Sequence, residues 1–296
     1  MMRQLSGWIV SNRFLGAQEK FVQLNQRLLS AASRRNLSLR VVTNDQLLVK
    51  ADRQGLQVET GDKPDFVIFM DKDVRLAQAL ERSGMRLFNT ARAIEICDDK
   101  SLTALAIAGF GIDMSMTILG PKTFDGIGYS SLEFLKEIEQ KIGFPMVVKE
   151  CFGSFGQQVA LAQDKEQLAG IVLQTSKSLI FQEFIAESAG RDVRINVVGG
   201  RVVASMLRIN PNDFRANVTN GASIQAYQPT ADESAMALQV CAAIGVDFAG
   251  VDLLFGKDGP VFCEINASAH IENIYQCTGI DVSETMLDHI MQEVGE

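Results

Sequence analysis

One run constrains this chain more than any other: Asp65-Phe-Val-Ile-Phe-Met-Asp71, an unbroken apolar stretch bounded by two acids. A strand with one wet face alternates apolar and polar residues, so a continuous run reads as a strand buried on both faces of a parallel sheet. Its neighbours agree. Leu5 to Val10 and Leu37 to Thr43 read as further strands, and between them Phe21, Leu24, Leu28 and Leu29 recur at helical spacing. A helix is expected from Asp73 to Arg82 and a strand near Met85 to Asn89. This alternation predicts a small α/β domain with a parallel sheet over residues 1–98. It carries neither a G-x-G-x-x-G after its first strand nor a P-loop, so no nucleotide signature of its own.

From Asp98 onward the texture becomes α+β. Ser130-Ser-Leu-Glu133 has the form of a capping box, and Leu135, Ile138 and Ile142 stripe the helix it would open. Met146 to Cys151, Gln158 to Ala162 and Ser178 to Ile185 read as strands, with Asp164 and Gln167 capping a helix between the last two. Asp192 to Val198 and Arg201 to Ile209 flank Gly199-Gly200, a two-residue hairpin signal. Thr230 and Glu233 form a second capping box, for a helix ending near Gly245. Phe248 to Phe255 and Val261 to Asn266 flank the turn Gly256 to Gly259, and a last helix covers Val282 to Val294. The organisation expected is a central lobe over 99–186 and a C-terminal lobe over 187–296.

The 296 residues allow about two domains, and a composition 47% hydrophobic and 22% charged is that of a globular chain with a sizeable core. The net charge of -8 argues against a nucleic-acid partner, which clustered basic charge would serve. No apolar run approaches a membrane span, and the N-terminus reads as a strand rather than a signal peptide. Five scattered cysteines without a C-x-x-C pair fit reduced thiols, and a cytoplasmic location is expected. With two histidines, His270 and His289, a structural zinc site is not expected.

Several side chains could carry chemistry. Strict alternation puts Val261, Cys263 and Ile265 on one face of their strand and Phe262, Glu264 and Asn266 on the other. With Asp252 from the hairpin partner, Glu264 and Asn266 make a hard-oxygen set suited to Mg²⁺, or else an ordinary polar sheet face. Lys149 ends an apolar strand before Gly153-Ser154-Phe155-Gly156, whose backbone could cradle phosphate or simply turn the chain. Glu183 and Phe184 lie at a strand end whose backbone could bind a planar base, and an edge strand reads equally well. Asp192, Arg194 and Asn196 share a face, and Arg208, Arg215 and Asn217 follow. These arginines point either to an anionic substrate or to a salt-bridge network.

Taken in order, Lys100, Val147-Val-Lys149 with its glycine loop, Gln182-Glu-Phe-Ile185, Gly190-Arg-Asp192-Val-Arg194, Phe214-Arg-Ala-Asn217, Gly250-Val-Asp252 and Glu264-Ile-Asn266-Ala-Ser268 resemble the ATP-grasp superfamily. More narrowly, they resemble its RimK-type ligases, which add amino acids, often glutamate, to a carboxylate. The resemblance runs from about Lys100 to the C-terminus and implies an ATP-grasp fold behind an N-terminal pre-ATP-grasp domain. It implies that Lys100 and Lys149 contact ATP phosphates under the loop of Gly153, Ser154 and Gly156. Glu183 and Phe184 would hold adenine, Asp192 ribose, and Arg215 and Asn217 the phosphates and metal. Asp252, Glu264 and Asn266 would ligate two Mg²⁺ ions, replaceable by Mn²⁺, with Glu264 bridging.

The activity so implied is amide or peptide-bond formation through an acyl phosphate, joining a small-molecule or peptide carboxylate to an amino-acid amine. Arg208 or Arg215 would stabilise the tetrahedral oxyanion. A dimer or tetramer is implied by resemblance alone. Two departures bear on the substrate. Ala269-His270 stands where the family usually has Pro-Gly, so that His270 either serves an amine or only enters a helix. Cys151-Phe152 and Phe155 also alter the glycine loop. The competing reading is a nucleotide-binding module without turnover that acts through partner contacts.

Overall fold

A computed structural model describes residues 3–16, 18–59, 61–154 and 156–295; Phe155 lies outside the described residues. The N-terminal unit runs β1 (Ser6–Ser11), α1 (Glu19–Ser33), β2 (Ser38–Thr43), a hairpin of β3 (Val49–Asp52) and β4 (Gly55–Val58), β5 (Phe66–Phe69), α2 (Val74–Arg82), β6 (Leu87–Phe88) and α3 (Ala91–Asp98). Its sheet has the order β2-β1-β5-β6, all parallel. β5 is buried on both faces, as the apolar run demands. Phe66 and Ile68 pack with Ile9 and Leu28 on one side, and Val67 and Phe69 with Leu76 and Leu80 on the other. The first of these cores also takes in Val198, Met206, Phe248 and Ile290, so the N-terminal sheet and the C-terminal lobe share an interior.

The central lobe follows with α4 (Lys100–Ile107), β7 (Thr117–Leu119), α5 (Leu135–Ile142), β8 (Met146–Glu150), β9 (Val159–Ala162), α6 (Lys165–Leu173) and β10 (Leu179–Glu183). Its antiparallel sheet, β7-β10-β8-β9, encloses a separate core of Met146, Val148, Leu168, Val172 and Phe181. The box at Ser130–Glu133 does not form. Helix α5 starts only at Leu135 behind a turn in which Leu135 N–H donates to Leu132 O. Phe134 rests beside Tyr129 and Phe181, and that packing draws the preceding residues out of helical register.

The C-terminal lobe comprises β11 (Arg191–Val198), β12 (Arg201–Ile209), β13 (Ser223–Ala226), α7 (Ala231–Ile244), β14 (Phe248–Phe255), β15 (Pro260–Asn266), α8 (Glu272–Thr278) and α9 (Val282–Gly295), with sheet order β13-β12-β11-β14-β15. Gly199 and Gly200 both have positive φ, 54° and 67°, the twist a two-residue hairpin requires. The Thr230–Glu233 capping box forms in full and opens α7. Among the described residues no helix is long and apolar enough to cross a membrane.

Strict alternation fails on β15. Asp252 pairs with Glu264 but Leu253 with Phe262, which leaves Cys263 as the extra residue of a bulge. Phe262 and Ile265 therefore both enter the core with Val251 and Leu253, while Cys263 and Glu264 both line a cleft. The expected division of Phe262 from Ile265, and of Cys263 from Glu264, is corrected accordingly.

Candidate functional site

The central and C-terminal lobes form a cleft of about 730 Å³ counted with its open mouth. Val147 on β8, Phe184 and Ile185 after β10, and Leu254 on β14 supply apolar surface. Lys149, Asp192, Arg208, Asp252 and Glu264 supply charge further in, and Gly156, Arg215 and Asn217 close one side. A smaller recess of about 370 Å³ shares Lys149, Gln182, Cys263 and Glu264 with it and adds Lys100. The two are thus continuous through the lysine end. An apolar end leading to cations and carboxylates suits a ligand with an apolar or aromatic head and an anionic tail.

Lys149 is 8% exposed, its ammonium 4.0 Å from the Cys263 sulfur. Burial pushes that thiol up to about 11, against the pull of Lys149. Lys100 Nζ lies 3.4 Å from Gly153 O, and the Lys100 N–H donates to Cys151 O at 2.9 Å. Ser154 N–H donates to Gln158 Oε1 at 3.2 Å. At Gly156, with φ of 70°, a Cβ would stand 2.5 Å from Asn217 Oδ1. The side chain of Phe184 meets Phe214 edge-on at 6.2 Å, and the exposed Glu183 donates its N–H to Met116 O.

The arginines are already engaged. Arg208, 3% exposed, donates Nε and Nη2 to the two oxygens of Asp192 at 2.5 and 2.6 Å, and Nη2 also lies 2.9 Å from Asp252. Arg194 takes Asp252 by a second fork at 2.6 Å. Arg215 grips Asp213 and donates Nη1 to Gly156 O at 2.7 Å, tying the loop to the C-terminal lobe. Burial opposes charge on Asp252, yet Arg194 and Arg208 outweigh it and hold the carboxyl below its ordinary value. The buried acids Asp192 and Asp252 in turn keep Arg208 charged, against the desolvation that would lower it. Arg194 is the member of this network that sequence reasoning left out of the site, although its shared face with Asp192 was the available signal.

Asp252 pairs with Glu264 across β14 and β15, and Gly250 with Asn266. The Asn266 Nδ2 is a buried donor without a hydrogen-bond partner, and only the oxygen of that amide could serve a cation. Two carboxylates and an amide oxygen are the kind of hard donors Mg²⁺ takes, and both oxygens of Asp252 are engaged by Arg194. Among the described residues no group of three or more His, Cys, Asp and Glu side chains assembles for a metal.

His270 stands outside this group. Its ring meets Phe21 of α1 edge-on at 4.9 Å. Burial, then Lys20 and Arg194, push its pKa down to about 4. A neutral imidazole of that basicity is far from the optimum for a general base near neutral pH.

Comparison with known proteins adds to this geometry. Residues 98–290 match a family described as the RimK-like ATP-grasp domain. N-acetylaspartylglutamate synthase A of Homo sapiens is 30% identical over 301 residues, covering 96% of this chain and 75% of the relative. Beta-citrylglutamate synthase B of Danio rerio is 28% identical, covering 96% and 73%. Among solved structures, the ATP-grasp ligase PsnB, complexed with a precursor variant, Mg and ADP, superposes with a TM-score of 0.69 at 15% identity, covering 98% of this chain and 99% of that one.

Proposed function

Because the chain belongs to the RimK-like ATP-grasp family, we propose that it is an ATP-dependent carboxylate–amine ligase. The observation that carries this reading is the continuity of one cleft, from an apolar slot at Phe184 and Ile185 to Lys149, Asp252 and Glu264. In this reading the base lies in the slot, and Lys149 and Lys100 receive the phosphates as point charges. Asp252, Glu264 and Asn266 would hold Mg²⁺, which when bound neutralises charge on the transferring phosphoryl group. The structural solution in which PsnB is bound to Mg and ADP supports the same pair of ligands here.

A carboxylate resists amines because its charge repels them and oxide is a poor leaving group. Phosphorylation of the acid by ATP releases ADP and converts that oxygen into a leaving group. The amine then attacks the carbonyl, a proton leaves its nitrogen, and phosphate departs as the amide forms. Arg208, held by Asp192 and Asp252, and Arg215 at the loop are the fixed cations assigned to the developing oxyanion in this scheme. The Gly153–Gly156 turn keeps water from the acyl phosphate.

The relatives, N-acetylaspartylglutamate and beta-citrylglutamate synthases by name, support glutamate as the amine and a small polycarboxylate as the acid. Cysteines free of disulfides among the described residues support a cytoplasmic site of action. One observation favours a second reading, a nucleotide-binding module without turnover: both oxygens of Asp252 are already taken by arginines.

The deciding experiment offers MgATP with N-acetylaspartate or citrate, each with and without glutamate, and follows ADP and amide together. A ligase releases ADP with amide only when acid and amine are both present, and Glu264→Ala abolishes it while the protein stays folded. Nucleotide binding with no ADP release across a broad panel of acids and amines favours the second reading.

A further inference from the structure

The N-terminal unit and the C-terminal lobe form one frame. They share a core, and Asn89, fully buried, donates to Phe248 O and Ala267 O while accepting from Asp247 N–H. Arg27 of α1 pairs with Glu272 of α8, and Arg35, just beyond α1, with Asp288 of α9. The strands of the central lobe have their own core instead. Its glycine-rich turn leaves that core and meets cations of its surroundings at three successive described positions. Lys100 lies at Gly153 O, Arg215 holds Gly156 O, and Lys72 Nζ donates to Ser154 Oγ at 3.0 Å.

Lys72 alone of these three comes from the N-terminal unit. It follows Asp71 at the carboxyl end of β5, the end of a parallel sheet where ligands are usually met. Asp71 is itself fixed there, accepting from Asn12 Nδ2 at 3.2 Å and from the Lys72 N–H at 2.7 Å. Asp98, at the end of α3, holds the Lys72 ammonium at 2.5 Å and so aims it at the turn. An ammonium has three donors, and Asp98 and Ser154 account for two of them.

We propose that Lys72 is a positioning residue for the ligase reaction: by holding Ser154 it seats the tip of the glycine-rich turn and couples that turn to the N-terminal unit. The contact is half-exposed, at 42% for the Lys72 side chain, so it is weak enough to open for nucleotide exchange. Its consequence rests on the proposed function. With the turn seated, the acyl phosphate meets only the amine; with the turn loose, water attacks instead and returns the free acid and phosphate, so ADP appears without amide.

Amide hydrogen exchange of residues 152–158 in the ligand-free protein tests the contact directly. Lys72→Met and Ser154→Ala are each expected to speed that segment roughly three- to tenfold, the range a weak polar contact allows. Lys72→Arg keeps the wild-type rate, and exchange in β11 and α7 is unchanged in all three variants. Wild-type rates in both Lys72→Met and Ser154→Ala, or a segment that exchanges like unstructured chain in the wild type, overturns the proposal. Added Mg–ADP separates the two readings: absence of any protection in the wild type counts against the nucleotide site, while the ligand-free comparison still decides the role of Lys72. With an acid and amine that turn over, the ratio of ADP to amide rises above about one in Lys72→Met and stays near one in the wild type; an unchanged ratio removes the functional part of the proposal.

Discussion

Arg194 and Asp252 face each other across β11 and β14, with Nε and Nη2 of the arginine each 2.6 Å from a different oxygen of the carboxylate. Arg208 approaches the same carboxylate at 2.9 Å and binds Asp192 beyond it. A proposed metal ligand is thus also the centre of a buried ion network, and a change at this one carboxylate is expected to disturb both.

Asp252→Asn keeps the shape but removes the buried charge, leaving the part-buried Arg194 without its ion partner. Breaking one side of a buried pair typically costs about 3–5 kcal/mol. A loss of that size is expected in urea unfolding, together with loss of any Mg²⁺-dependent gain in thermal stability from ATP.

Lys149→Met should behave in the opposite way. Lys149 is 8% exposed with its ammonium beside a thiol, and a buried charge so placed burdens the fold until an anion joins it. Stability without ligand is expected to hold or rise in this variant, while the affinity for Mg–ADP measured by calorimetry falls at least about tenfold, or about 1.4 kcal/mol.

His270 gives a pH signature. Its folded pKa is pushed down to about 4, first by burial and then by Lys20 and Arg194, whereas an unfolded histidine titrates near about 6.5. Between those values the unfolded chain binds the proton and the folded chain does not. The contribution is therefore complete above about pH 6.5 and is lost as pH falls towards 4, amounting to about 3 kcal/mol at most. His270→Gln is expected to flatten the stability profile over that window, and a slope equal to the wild type would contradict the assignment.

Gly156→Ala meets two obstacles, a φ of 70° and Asn217 Oδ1 at 2.5 Å from the new Cβ. The turn must shift away from Asn217 and Arg215. Affinity for Mg–ADP is expected to drop while the melting temperature falls by only a few degrees, the scale of about 1 kcal/mol.

The helix caps divide what was local from what was not. Thr230 and Glu233 satisfy each other's backbone within one turn, and their box forms as read. Ser130 and Glu133 carry the same pattern, but Phe134 is committed to Tyr129 and Phe181, and the helix begins later. A cap survives only where the lobe's packing leaves its residues free to adopt it. On β15 the side-chain period of two was likewise sound as far as local geometry goes, until the pairing with β14 inserted a bulge at Cys263.

The sequence by itself determined the elements whose causes are near neighbours: the doubly buried β5, the Gly199-Gly200 hairpin, and the ordered series of motifs that identifies the family. The tertiary structure decided which charges answer one another. Lys72 reaches Ser154 from 82 residues away, and Arg194 reaches Asp252 across 58. Neither pairing has a local signature, because charge attracts through space and the distance between two side chains is set by how the lobes close.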